Sequence, residues 1–231
     1  GFRQREPFSI FRSFNLNLNQ WYAMTFGAEK RYAGGNFNAH WTFKNFWDMG
    51  GGFSRDTRSI STETLRGGPS LLNDGSIHIW SYVNTDHRKK FRLYLQYSSF
   101  FADHKTAKRE FYYMGAHLQI SDAFRLSVSP ALTKRTNKIA YVDNIDYLDD
   151  VKYIRGNIDQ TETSLTLRLN YNITPDFTIQ YYGMPFISAG KYNDLKYIND
   201  SKADDVNDRY VQYAENQITY NSEDNIYEID E

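Results

Sequence analysis

The chain has 231 residues and a mass of 27.2 kDa, with 27 basic and 28 acidic side chains for a net charge of −1. Aromatic residues make up 17% although the mean hydropathy is −0.69, and that ring content excludes a disordered chain. Cysteine is absent, which excludes disulfides and thiolate metal sites, and the near-zero net charge gives no pointer to nucleic acid.

No unbroken apolar run exceeds four residues (Trp21 to Met24 is one), against about 20 for a membrane-spanning helix. The dominant pattern is instead an alternation of period two. Phe14, Leu16 and Leu18 alternate with Asn15, Asn17 and Asn19, and Tyr22, Met24 and Phe26 follow. The break between them predicts a turn joining strands 10–18 and 21–28. Phe37, Ala39, Trp41 and Phe43 lead through Lys44-Asn45 into Trp47, Met49 and Phe53, giving strands 34–43 and 46–55. Ile77, Ile79 and Val83 run to a charged turn at 86–90, and Phe91, Leu93, Leu95 and Tyr97 follow, giving 75–84 and 91–101. Met114, Ala116, Leu118 and Ile120, then Phe124, Leu126 and Val128 beyond Ser121-Asp122, give 109–120 and 123–134. Leu165, Leu167, Leu169, Tyr171 and Ile173 alternate with Thr166, Arg168, Asn170 and Asn172. Past Thr174-Pro175-Asp176, the residues Phe177, Ile179 and Tyr181 complete strands 160–173 and 177–188.

The predicted connections are unequal. Those after alternate strands are tight, as at 44–45, 121–122 and 174–176. The others are longer and polar: 29–33, 56–74, 102–108, 135–159 and 189–231. In a meander every second connection lies at the same end, so one end carries tight turns and the other long loops. Short periplasmic turns opposite longer extracellular loops are the pattern of bacterial outer-membrane barrels. Strands of roughly 9 to 13 residues also suit a tilted bilayer crossing better than the usual 5 to 6 of soluble sheets. Asn, Gln, Ser, Thr, Arg and His on the face opposite the apolar one suit a wet lumen. Tyr171, Phe177, Phe124, Phe43, Phe46 and Trp47 stand near the tight turns, where an interfacial aromatic girdle belongs. The fold expected is all-β: an antiparallel up-and-down transmembrane β-barrel in the cell outer membrane, with about ten strands in this chain.

A single domain over 1–231 is expected, with membrane strands within 10–188 and a long polar extracellular loop or tail over 189–231. The chain opens Gly1-Phe2-Arg3-Gln4 without a signal-peptide pattern. It ends on a polar stretch rather than a membrane strand, whereas a barrel in lipid must close. It therefore reads as a piece of a larger barrel. Its expected partners are outer-membrane lipid, carbohydrate, and further strands of the same protein or another outer-membrane subunit; nucleic acid is not among them.

Two stretches carry a family resemblance. The segment from Tyr153-Ile-Arg-Gly-Asn-Ile-Asp-Gln160 through Leu165-Thr-Leu-Arg168-Leu-Asn-Tyr-Asn-Ile-Thr-Pro175 to Gln180-Tyr-Tyr-Gly-Met-Pro185 and Tyr192 is one, and Leu65-Arg66-Gly67-Gly68-Pro69 is the other. Together they resemble the DUF5916 family of Bacteroidota-type proteins, over roughly residues 10 to 200. The resemblance implies an outer-membrane barrel preceded by a carbohydrate-binding-module family 9-like domain that this sequence lacks.

Candidate chemistry is sparse. Arg66-Gly67-Gly68-Pro69 either presents Arg66 to a ligand or forms a structural turn, since paired glycines permit positive φ and proline fixes the exit. Arg168 and Gln180, with Arg92, Arg125 and His117, either line a polar channel that binds a ligand or make up the ordinary polar interior of a barrel. His40, His78, His87, His104 and His117 lack metal-ligand spacing, and Asp204, Asp205, Asn207 and Asp208 lack the glycine of a calcium loop. No metal and no cofactor is expected, and no catalytic constellation is recognised. Tyr192, Tyr197, Tyr210, Tyr213 and Tyr220 can stack on sugars or on one another. The leading functional reading is an outer-membrane barrel that anchors or accompanies a carbohydrate-binding module in glycan binding or uptake. The alternatives are a glycoside hydrolase-like outer-membrane enzyme with its site in the extracellular loops, and a soluble β-rich binding domain.

Overall fold

The computed structural model describes residues 1–147, 150–223 and 226–229. Among these the secondary structure is strand apart from two 3-10 turns at Asp103–Lys105 and Glu215–Gln217. The first strands are β1 (Phe2–Gln4), β2 (Phe11–Met24), β3 (Lys30–Phe43) and β4 (Asp48–Asp56). A ribbon of β5 (Ser59–Ser61) and β6 (Leu71–Asn73) is followed by β7 (Ser76–Asn84), β8 (Phe91–Ala102) and β9 (Ala107–Gln119). Then come β10 (Phe124–Tyr147), β11 (Asp150–Thr174), β12 (Phe177–Gly183) and β13 (Phe186–Ile198). The chain closes with β14 (Tyr210–Gln212) and a ribbon of β15 (Ile218–Asn221) and β16 (Ile226–Ile229).

Twelve strands make one sheet in the order β1-β2-β3-β4-β7-β8-β9-β10-β11-β13-β14, with β12 also paired to β11. All of these pairings are antiparallel. The up-and-down meander read from the sequence is thus present. The tight turns at 44–47, 85–90, 120–123 and 175–176 share one end of the sheet. Three of them are fastened locally by side chains. Asn45 Oδ1 accepts from the Trp47 N–H at 3.1 Å, and Ser121 Oγ accepts from the Phe124 N–H at 3.1 Å. In the 85–90 turn, Asp86 accepts from Arg88 Nε at 2.9 Å and Nη2 at 2.8 Å, which holds its carboxyl well below the usual carboxylate range.

Three predicted boundaries are corrected. There is no turn at 19–20: β2 runs on with Asn19 opposite Asn36, Gln20 opposite Gly35 and Trp21 opposite Gly34. The even-numbered apolar phase (14, 16, 18, 22, 24) never shifts, and Gln20 is one polar member of that face. The predicted loop 135–159 is strand on both arms of the β10–β11 hairpin, from Thr136 opposite Asp159 to Tyr147 opposite Asp150, interrupted by two bulges. Its tip, 148–149, lies outside the described residues. The apolar residues of this stretch are irregularly placed, as in the run Ile139-Ala140-Tyr141-Val142, and so lack the alternation that marks a strand. The predicted strand 177–188 is two strands split at Met184-Pro185, because Pro185 has no N–H to donate, and β13 continues to Ile198, into the predicted tail.

The sheet is open. No ladder joins β2 to β12 or β13 among the described residues. The two sides of the sheet still approach each other at the long-connection end, where Lys202, after β13, pairs with Glu29 of the β2–β3 turn at 2.6 Å.

Register puts the apolar residues of every strand on one face. Phe37, Phe53 and Ile79 form one row; Leu93, Ala116, Val128 and Leu167 another; Phe91, Leu118, Leu126, Leu169 and Tyr181 a third. On β10 the run lasts from Phe124 to Leu132 and stops at Lys134. That is about 26 Å of strand, or about 20 Å of height at the usual barrel tilt. Among the described residues nothing covers this face: Leu18 is 78% exposed, Phe53 50% and Leu165 42%. The buried apolar side chains among the described residues are Ala39, Leu65, Leu71, Ala140, Ile154 and Tyr213. Most of them lie not under the sheet but in a layer beyond the apolar band.

Candidate functional site

The opposite, polar face divides by composition. On β2 and β3 it presents Asn15, Asn17, Asn19, Asn36 and Asn38, with Asn19 donating to Asn36 at 2.8 Å and Asn38 donating to the same oxygen at 2.8 Å. On β8 to β11 it presents Arg92, Arg109, Arg125, Arg135 and Arg168. Between the two runs a ladder of rings. His40 lies 5.5 Å from Trp80 and 5.9 Å from Tyr82; Trp80 and Tyr82 stack at 6.1 Å. Tyr82 meets Tyr94 at 5.8 Å, Tyr94 meets Tyr113 at 5.8 Å, and Tyr113 stacks on Phe111 at 6.3 Å. His40 Nδ1 and the Tyr82 hydroxyl are 3.1 Å apart, across the intervening strand β4. Glycines make that span feasible: a Cβ on Gly50 would sit 2.6 Å from the Tyr82 ring and 2.7 Å from His40 Nδ1. Offset and edge-on pairs at these separations are the favourable aromatic geometries.

Above the ladder the polar face opens into a cleft of about 700 Å³ lined by His78, Phe100, Arg109, Thr133, Arg135 and Glu162, among others. Below it, Arg92 stands opposite His117, and His117 Nδ1 is 2.8 Å from Ser127 Oγ.

The sequence-derived candidates fall into two separate places. Arg168 stands opposite Tyr182, its guanidinium 4.8 Å from the ring centre, and Gln180 stands opposite Asn170 one row nearer the turns. Arg66, Gly67 and Gly68 lie at the far end, in the β4–β7 connection, which folds onto the β10–β11 hairpin. Arg66 and Gly67 take positive φ, 53° and 104°. The Arg66 guanidinium stacks 3.7 Å from the centre of the Tyr141 ring. Gly68 lies flat under Tyr153, since a Cβ there would come within 2.4 Å of that ring. Tyr141 is opposite Arg155, and Arg168 lies about 43 Å further along the same strand. The five candidates therefore do not form one site. Arg109, Arg135 and the ring ladder were not among the candidates. Trp80 and Tyr82 carry a readable signal, since they occupy the polar phase between Ile79 and Val83.

The layer beyond the apolar band is a structured cap. Arg209 is 1% exposed and donates to Ala203 O at 2.7 Å, Leu72 O at 2.8 Å and Asp74 Oδ1 at 2.9 Å. Asp74 also accepts from Thr106 Oγ1 at 3.0 Å. Burial pushes the neighbouring Tyr210 phenol up to about 12. The acidic run after β13 is tied into the same layer: Arg58 pairs with Asp204 at 3.2 Å, and Asp205 Oδ1 accepts from the Asn207 N–H at 2.9 Å. Arg155, 1% exposed, donates from Nη2 to Thr64 O at 2.8 Å, and burial lowers its pKa. Among the described residues no three His, Asp or Glu converge where a metal could sit, and no helix is long and apolar enough to cross a membrane.

An open antiparallel meander with a bare apolar face, a polar face crossed by rings and arginines, and a cap at one end defines the class of structure. A family model described as a domain of unknown function, DUF5916, matches residues 1–230, and the chain belongs to that family. No curated protein and no solved structure matches the chain.

Proposed function

We propose that this chain is a membrane-spanning part of an outer-membrane β-barrel, with its polar face lining a wet lumen. One observation carries the reading: the apolar side of a sheet this wide is bare, while most of the few buried apolar residues among those described belong to the cap. A water-soluble domain buries its large apolar face, and exposed patches beyond a few hundred Å² mark an interaction surface. A face of this extent, about 20 Å high and bounded by charged Lys108, Glu110 and Lys134 at one edge, fits the hydrocarbon layer.

The ring ladder favours carbohydrate as the solute that meets the wet face, because the flat faces of sugar rings stack on aromatic side chains. It agrees with the carbohydrate-binding-module family 9-like domain that the family resemblance implies. The reading as a carbohydrate-active enzyme has less support. Glycoside hydrolysis takes two carboxylates about 5 to 9.5 Å apart. On the polar face within the band, Glu162 of β11 and Asp48 of β4 stand on strands far apart in the sheet order.

Cysteine labelling tests the membrane reading cleanly, since the chain has no native cysteine. With the full-length protein in lipid vesicles, Leu126→Cys and Leu167→Cys are expected to resist an aqueous maleimide. Ser127→Cys and Thr166→Cys are expected to react. Equal rates on both faces would overturn the proposal.

A further inference from the structure

We infer that the cleft between β8 and β11 recognises negatively charged sugar units, so that the solute is an acidic rather than a neutral glycan; this rests on the glycan reading above. Register puts Arg109 directly opposite Arg135, with Phe100 and Gln160 as the flanking partners in the same row. Like charges directly opposite on one face of a sheet destabilise it, so two arginines in that relation call for a counter-charge. None is supplied from within. Among the described residues neither arginine lies within ion-pair distance of a carboxylate, and Glu162, which also lines the cleft, stands one row away opposite Thr133. Both guanidinium groups are on exposed residues facing about 700 Å³ of open space.

The rest of the arginine wall extends the positive face, with each further arginine opposite a neutral partner: Arg92 opposite His117, Arg125 opposite Gln119 and Asn170, and Arg168 opposite Ser127. Arg92, Arg125 and Arg168 form a second tier nearer the turns, and the rings Tyr94, Tyr113 and Phe111 lie between the tiers. From the row of Arg109 and Arg135 to that of Arg168 is about 26 Å along the strands, a span of several sugar units. Guanidinium forks match carboxylate and sulfate oxygens with two parallel hydrogen bonds, whereas an ammonium offers only a point charge. A chain that alternates flat sugar faces with such groups meets rings and forks in turn. Both carboxylated and sulfated glycans present that chemistry.

The test uses the full-length protein in detergent and three fluorescent probes: an oligogalacturonate, a sulfated heparin oligosaccharide and neutral maltohexaose. At least one anionic probe is expected to bind about tenfold or more tightly than maltohexaose, with affinity falling as salt rises. The probe that binds better assigns the source of charge, carboxylate or sulfate. Arg109→Gln with Arg135→Gln is expected to weaken the anionic probe about tenfold and leave maltohexaose unchanged. Lys134→Gln, on the opposite face of the sheet and outside the cleft lining, is expected to change neither. Equal binding of charged and neutral probes, or an Arg109/Arg135 double variant that binds the anionic probe normally, would overturn the inference while the glycan reading stood. Failure of all three probes to bind would overturn both, and cysteine labelling would still decide the membrane reading separately.

Discussion

Glycine inside a strand usually weakens it, because it has no side chain to pack and loses the most backbone entropy on ordering. Three stand in a row at 50–52 of β4, and the polar-face members have a definite role. Gly52 is closed in by the Phe37 carbonyl, 2.6 Å from where a Cβ would be, and Gly50 by the rings of His40 and Tyr82. The absent side chains let the ladder pass over β4 as a continuous surface. Gly50→Val forces the bonded His40–Tyr82 pair apart, and overpacking of this kind costs about 1–3 kcal/mol. A lower thermal unfolding midpoint in detergent is expected, along with weaker glycan binding. Gly190→Ala is the control: it stands on the same face with its nearest neighbour at 3.4 Å, an ordinary contact, and the midpoint should hold. Equal midpoints for the two variants would mean that the rings are not held by the gap.

At the scale of elements, alternation made the strands legible only where the two sides of a strand meet different surroundings. Inside the apolar band it located the six strands from 34–43 to 123–134 within a few residues, apart from the far end of the last. Beyond the band β10 and β11 pack against the cap, with Ala140, Ile154 and Arg155 buried, so the apolar residues of 136–159 follow no regular period and the stretch reads as loop. The hairpin is held there by its backbone ladder and by contacts such as Thr136 Oγ1 to Asp159 at 2.8 Å, which leave no trace in hydropathy. The same limit hid the upper half of the arginine wall: Arg135 fell in the supposed loop and Arg109 at a strand's first residue. The cap was illegible for another reason. Arg209 with Asp74, and Gly68 with Tyr153, are partners far apart in the chain whose pairing depends on the tertiary fold. What alternation did expose, the inequality of the two ends, yields a topological prediction. In cells making the full-length protein, an epitope inserted after Gly67 is expected to be read from outside, since that position is open on all sides. Epitopes between Lys44 and Asn45 or between Ser121 and Asp122 should be hidden until the envelope is broken. Surface staining of a turn epitope together with the Gly67 epitope would contradict a crossing sheet.

For the whole molecule, the membrane arrangement proposed above, apolar face outward and polar face inward, reverses the logic of a soluble sandwich, and on that reading the two edges of the sheet become decisive. β1 covers β2 only opposite residues 14–16, and β14 covers β13 only opposite residues 196–198. The remaining outer edges of β2, and of β12 and β13, expose backbone N–H and C=O groups at the level of the apolar band. In water such an edge is a site for association. In lipid each unsatisfied group costs several kcal/mol, so an open edge of several residues outweighs the about 5–15 kcal/mol by which a domain is usually stable. The Lys202–Glu29 contact brings the two sides near one another at the cap, yet β2 does not hydrogen-bond to β12 or β13. On the proposed membrane reading, strands from outside residues 1–231 or from further copies would supply the missing partners. Residues 1–231 produced alone are therefore expected to run in detergent as oligomers or aggregates, by light scattering coupled to size exclusion. The full-length protein should give a single monodisperse species. Amide exchange provides the second readout: those N–H groups of β2 beyond residue 16 that point away from β3 should exchange fast in the isolated segment and slowly in the full-length protein. A monodisperse monomer of residues 1–231 with protected amides along β2 and β12 would mean that the sheet closes on itself, and that its own edges are its partners.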